Sequence, residues 1–272
     1  MSEAARSLLR HWILRQTTEE ATLWLESRLA EMAALPPDGT DGGRRLALAF
    51  GRVPRIFGRE DLALSPPDLA AAQSARPGWD PAGWSIDGAA RVLLLLHLPI
   101  RSGEPDFARR FRRLRQTADP AEQVALFRGL PLYPQPASLI EEVGEGLRTN
   151  MRPVFEAVAH RNPYPREFFD QHRWNHMVLK ALFVESALAP IQGLAARTNP
   201  ELSLILRDYA RERRAAGRPV SPELWRCLAP FAAEADALGD LAQALTSLDA
   251  AERDAAVAAR EQISIRSSHP IG

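Results

Sequence analysis

No stretch of this chain alternates apolar and polar residues with the period of two that a half-buried strand needs, and no run rich in Val, Ile and Thr is bounded by turn residues. A sheet has no support, so the chain must bury its apolar residues with helices. Apolar residues instead recur three and four apart, in segments broken by proline and glycine. Residues 106–116 show the pattern plainly: Phe107, Phe111 and Leu114 form one stripe beneath Arg109, Arg110, Arg112, Arg113 and Arg115. The predicted fold class is all-α. Helix pairs recur every few tens of residues, which points to an irregular α-superhelix, a HEAT-like helical repeat array, although no motif repeats at a fixed period. The run holding Pro131, Pro134 and Pro136 is the natural seam between an N-terminal helical region, 1–135, and a C-terminal one, 136–272, unless the two form one continuous domain.

Local signals place several elements. Thr17 with Glu20 three residues later reads as a capping box opening a second helix, residues 43–51 as a short helix, and Asp87 as the cap of an apolar helix over residues 89–98. Pro163 and Pro165 flank Tyr164 and argue against helix over residues 162–165. A helix is then expected over residues 170–188. It is apolar on several faces, through Trp174, Met177, Val178, Ala181 and Leu182 and also Leu179, Phe183 and Val184, and so is expected to be buried. A further helix is expected over residues 200–216.

Composition excludes some roles. Basic and acidic residues balance at 34 each, which removes a whole-molecule attraction for nucleic acid or an anionic membrane surface. The single cysteine, Cys227, allows no intramolecular disulfide and fits a reducing cytoplasm. The longest apolar run, around residues 92–98, falls far short of the roughly 20 residues that span a bilayer, so no transmembrane segment is expected. No Gly-rich phosphate loop, nucleophile elbow or dinucleotide fingerprint occurs, and no cofactor is expected.

Polar chemistry gathers on the helix expected over residues 170–188. His172 and His176 are four apart and share a face, a spacing open to a divalent metal, but the glutamate that follows the first histidine in the zinc motif H-E-x-x-H is absent. Further ligands would have to come from residues such as Asp170, His160 or Asp208; two histidines hydrogen-bonded within a helix interface are the commoner arrangement. Lys180 is the chain's one lysine among 34 basic residues, which marks a position suited to a compact ammonium. It could form an imine, hold an anion, or pair with an acid of a neighbouring helix. Asp208 and Glu212, also four apart, could bind magnesium or form a salt-bridged face with Arg207, Arg211 and Arg214.

The segments Asn162-Pro163-Tyr164-Pro165, Trp174-Asn175 and Met177-Val178-Leu179-Lys180-Ala181-Leu182-Phe183 resemble the EboA family, metabolite-traffic proteins of the ebo gene cluster. So do Asn199-Pro200-Glu201-Leu202, Asp208-Tyr209-Ala210 and Pro222-Glu223-Leu224-Trp225-Arg226, so that the likeness covers residues 150–231. Where the family has glutamine after Trp174-Asn175, this chain has His176, which weighs against a metal site. The resemblance implies a bacterial cytoplasmic protein encoded beside a UbiA-like prenyltransferase, a TatD-like hydrolase and sugar-phosphate-type enzymes, in clusters associated with making or exporting a prenylated metabolite. It carries no catalytic residues over; Asn162, Tyr164, Trp174, Asn175 and Lys180 join His172, His176 and Asp208 as pocket candidates. The expectation is an accessory helical protein that binds a small metabolite or a pathway partner through a polar pocket. Two alternatives stand beside it. One is a metal-assisted hydrolase or lyase using His172 and His176, or an imine former using Lys180; the other is a scaffold docking on the membrane prenyltransferase through residues 109–115.

Overall fold

The computed structural model describes residues 3–36, 40–99, 106–228, 235–247 and 249–268. Among these residues it has sixteen α-helices and no strand, with an isolated bridge joining Asp61 to Ser85. The all-α class holds. The chain divides into two compact units, Met1–Phe168 and Phe169–Gly272.

The first unit comprises α1 (Glu3–Leu14), α2 (Glu19–Ala33), α3 (Thr40–Phe57), α4 (Pro66–Ala75), α5 (Ile86–Leu96), α6 (Asp106–Thr117), α7 (Pro120–Arg128), α8 (Ile140–Arg148), α9 (Arg152–Ala159) and α10 (Tyr164–Phe168). Its centre is α5, which packs against α1, α2, α3 and α7. Ala, Val and Leu on all its faces let it be surrounded, and every residue but Gly88 is buried. One of those buried residues is Arg91, 1% exposed, and its position explains two departures from the sequence reading. Asp87 is not the helix cap: Ser85 caps α5 by accepting the Gly88 amide, and the Asp87 carboxylate pairs instead with Arg91 one turn on. The helix expected over residues 43–51 continues as α3 through Pro54. Proline has no N–H, so the carbonyl four residues back, that of Phe50, loses its usual helical donor. Arg91 Nε donates to that carbonyl at 3.2 Å, and its guanidinium lies 5.4 Å from the Phe50 ring centre. A buried cation from another helix thus fills the gap that let α3 run on.

Two other local expectations shift. Thr18, not Thr17, caps α2, accepting from Ala21 N at 3.2 Å; the third helical residue is then Ala21, so no capping box closes. Thr17 Oγ1 turns back to the Leu14 carbonyl. Helix α10 begins at Tyr164, inside the segment expected to be non-helical, because Pro165 occupies its first turn, where a missing N–H costs nothing. On α6 the arginines are not one solvated face. Arg112 and Arg115 both bond Glu142, Arg110 reaches Asp106 and the Pro36 carbonyl, and Arg109 pairs with Asp106 at 3.5 Å; Arg109, Arg112 and Arg113 are exposed.

The second unit holds α11 (Gln171–Phe183), α12 (Leu194–Arg197), α13 (Pro200–Ala215), α14 (Glu223–Leu228), α15 (Ala235–Leu245) and α16 (Ala250–Ser268). Asp170 caps α11 as expected, accepting from Arg173 N at 2.7 Å. The helix stops at Phe183, not at residue 188: Glu185 turns left-handed at φ +54°, and Ser186 N reaches back to the Ala181 carbonyl at 2.8 Å. Nor is α11 buried all round, since His172, His176 and Phe183 are exposed. Its inner face, with Trp174, Asn175, Met177 and Val178, packs toward α13.

Candidate functional site

The segment from Leu130 to Leu139 has three prolines in six residues, which deny it regular helix in an otherwise helical chain. It folds as two short 3-10 turns, Leu130–Leu132 and Pro136–Leu139, joined through Tyr133 to Gln135. The whole segment lies within the first unit. Gln135 sits in the left-handed region at φ +51°, a conformation that costs a residue with a Cβ about 1 to 2 kcal/mol and persists where the surroundings hold it. Tyr133 is wedged between the rings of Phe107, at 5.1 Å, and Phe111, at 5.9 Å. Its hydroxyl lies so close over Gly129 that a Cβ there would come within 2.2 Å of it, so a larger residue at 129 would have to displace the Tyr133 ring.

Beside this segment is a partly open cavity of about 280 Å³. Its walls are Leu130 to Pro136, Ala5 of α1, Leu96 of α5, and Tyr164 and Phe168 of α10; Arg76 and Glu167 also line it. The Tyr164 hydroxyl donates to the Pro136 carbonyl at 2.7 Å and so ties α10 to the loop. Arg76 and Glu167 form a two-pronged ion pair. Two polar atoms of the lining residues are buried yet have no hydrogen-bond partner among the described residues: Tyr133 Oη and Gln135 Oε1. Burial pushes the Tyr133 phenol well above its ordinary pKa, so it stays a neutral donor. An orphaned buried polar atom costs roughly 1 to 3 kcal/mol, and neither of these is open to the cavity: the Tyr133 hydroxyl lies over Gly129, which does not line it.

The residues singled out from the sequence fall in two places. Asn162 and Tyr164 belong to the first unit, and Tyr164 lines the cavity. Asn162 is buried with its amide engaged: Nδ2 donates to the carbonyls of Phe127 and Ala157, both at 3.0 Å, and Oδ1 accepts from Tyr164 N at 3.0 Å. His172, Trp174, Asn175, His176, Lys180 and Asp208 belong to the second unit. There the His172 and His176 rings stack 4.3 Å apart on the exposed side of α11. Trp174 is fully buried with the Arg197 guanidinium 4.6 Å over its ring, and its Nε1 lacks an acceptor among the described residues. Asn175 and Asn199 bond each other reciprocally, at 3.3 and 2.9 Å. Lys180 is half-buried, and that burial lowers its pKa; Asp208 is exposed on α13. Among the described residues no group of three or more His, Cys, Asp or Glu side chains is placed to share a metal ion. Tyr133, Gln135, Arg76 and Glu167 were not singled out from the sequence; the signal that could have found them is the proline cluster, read there as a seam.

The chain matches the family model described as metabolite traffic protein EboA over residues 5–229. It belongs to the EboA family. The matched span holds every residue that lines the cavity, from Ala5 to Phe168, and so extends the likeness well beyond residues 150–231. A comparison with curated proteins gives no match, nor does one with solved structures. Among the described residues no helix is long and apolar enough to cross a membrane.

Proposed function

We propose that this EboA-family protein is an accessory factor that holds a small metabolite in the cavity between the Leu130 to Leu139 segment and α10. The observation that carries the reading is the partly open cavity itself, about 280 Å³, walled by the proline segment, α1, α5 and α10. That volume is close to the lower end of small-molecule sites, and the lining combines apolar walls with few polar groups, as such sites do. The family description, metabolite traffic, supports the same reading. In this proposal the protein works in the cytoplasm, its helices stack as an irregular repeat array, and the metabolite belongs to the prenylated product that the family's gene setting suggests. A pathway partner such as the UbiA-like prenyltransferase would meet the exposed Arg109 and Arg113 of α6. The residues on α11, His172 to Lys180, are proposed as a subsidiary surface, not as the metabolite site.

The test is native mass spectrometry of the protein purified from its own host, beside an Ala5→Leu variant that fills the cavity from α1. A retained small molecule, depleted in a variant whose circular dichroism is unchanged, is the expected result. An empty wild-type protein, or equal retention in Ala5→Leu, overturns the reading.

A further inference from the structure

We propose that the outward face of α3 is a peripheral docking surface for an anionic lipid bilayer. The inference is independent of the cavity and starts from charge. Residues 42–59 hold five arginines and no aspartate or glutamate, in a chain whose 34 basic and 34 acidic residues cancel overall. At 3.6 residues per turn, Arg44, Leu48, Arg52 and Arg55 of α3 fall within about 80° of one another, while Leu46, Ala49, Phe50, Val53 and Phe57 on the other side of the helix are buried. The core contacts therefore hold the three arginines in a row toward solvent, and all three are exposed.

What sets the row apart is that nothing answers it. Arginines exposed elsewhere in the first unit have carboxylates at hand: Arg10 meets Glu26 and Arg152 meets Glu156, both at 2.7 Å, and Arg148 pairs with Glu145. Arg44, Arg52 and Arg55 have no ion pair or hydrogen bond among the described residues. The flanking acids are already engaged. Glu31 takes Arg28 and Arg45, and Glu122, whose carboxylate lies beside Gly51, accepts the Asp119 amide at 3.0 Å and faces Arg91 at 3.9 Å. Guanidinium groups bind phosphate oxygens in two-pronged fashion, so an unpaired row of them fits a surface of phosphates.

Leu48 decides between such surfaces. It is 59% exposed and sits one turn from Arg44 and one turn from Arg52, in the middle of the row. Ala47 and Gly51, also exposed, are too short to hold the helix off a flat surface. A nucleic-acid backbone would use the arginines and leave the leucine in water. At a bilayer the guanidiniums meet the headgroups while Leu48 reaches the boundary with the acyl chains. Contact of this kind is reversible, since each basic residue near an anionic surface strengthens binding only about fivefold.

The test is co-sedimentation of the full chain with vesicles of phosphatidylcholine alone and of phosphatidylcholine mixed with phosphatidylglycerol. Binding to the anionic vesicles only is expected, and it should be lost when salt is raised to about 1 M, where the screening length falls to about 3 Å. Arg44→Gln, Arg52→Gln and Arg55→Gln together should weaken it about a hundredfold, and Leu48→Gln severalfold; all four positions are exposed, so circular dichroism should be unchanged. A charge-matched control, Arg10→Gln with Arg148→Gln and Arg152→Gln, should bind as the wild type does. A wild-type protein that ignores the anionic vesicles, an α3 triple variant that binds as tightly as the wild type, or a control weakened as much as that variant overturns the proposal. Binding that needs the arginines but not Leu48 overturns the bilayer as the occupant and gives the face to a soluble polyanion.

Discussion

The loop-lined cavity of the first unit and the α11–α13 face of the second are both rich in buried polar groups, but they treat them differently. On α11, Asn175 is fully buried and bonded: its Nδ2 donates to Asn199 and Glu201, and its Oδ1 accepts from Asn199. On α13, Arg207 and Arg211 close on Asp240, each at 2.9 Å. These groups answer one another, and Trp174, whose Nε1 is unbonded, has its ring covered by Arg197. In the proline segment, Tyr133 Oη and Gln135 Oε1 are buried with no hydrogen-bond partner among the described residues. A satisfied polar cluster fixes helix packing, whereas a buried polar atom left unmet costs stability.

Breaking the satisfied side should cost the most. Arg207 is 4% exposed, so Arg207→Ala leaves the buried Asp240 carboxylate with Arg211 alone and should destabilise the protein by about 2 to 3 kcal/mol in urea unfolding. A loss below about 1 kcal/mol would mean that the cluster is not structural. The same cluster sets an acid response. Burial by itself raises the Asp240 pKa, but the hydrogen bonds from Arg211 and Arg207 outweigh it and the net shift is downward. A depressed carboxylate contributes stability that is fully present above its unfolded value, near 4, and is lost as pH falls through the folded value. Stability should therefore drop below about pH 4, and Arg207→Ala should flatten that drop. Next in size, Asn175→Ala should cost about 1 to 3 kcal/mol by orphaning the Asn199 amide, again read in urea unfolding.

The smallest effect tests the other side of the contrast. Tyr133→Phe removes a hydroxyl that has no partner, so it should leave the thermal midpoint unchanged or raise it, by no more than about 1 kcal/mol of added stability. A loss above about 2 kcal/mol would show that this hydroxyl is bonded after all and would erase the difference between the two regions.

Much of the helical plan was legible because it rests on short-range chemistry. The stripe of Phe107, Phe111 and Leu114, the Asp170 cap and the start of α13 at Pro200 each need only neighbours a turn away. The errors came where a distant residue intervened or a local penalty was tolerated. Nothing within α3 announces that Arg91 will serve the Phe50 carbonyl and carry the helix past Pro54. Nothing near residue 185 announces that a glutamate will take the left-handed turn that glycine usually takes. The family, too, was legible, in motifs that remain recognisable without any knowledge of what they touch.

The candidate site was legible only in part. Tyr164 was singled out, but its neighbours on the cavity wall come from Ala5, Arg76, Leu96 and the proline loop, separated by tens of residues. Sequence by itself determined that this protein is built of helices, where most of them begin, and to which family it belongs, because capping, periodicity and motif identity are properties of adjacent residues. The tertiary structure decided which polar atoms are answered and which are left open, because hydrogen-bond satisfaction depends on what packing brings within about 3 Å, whatever the distance along the chain.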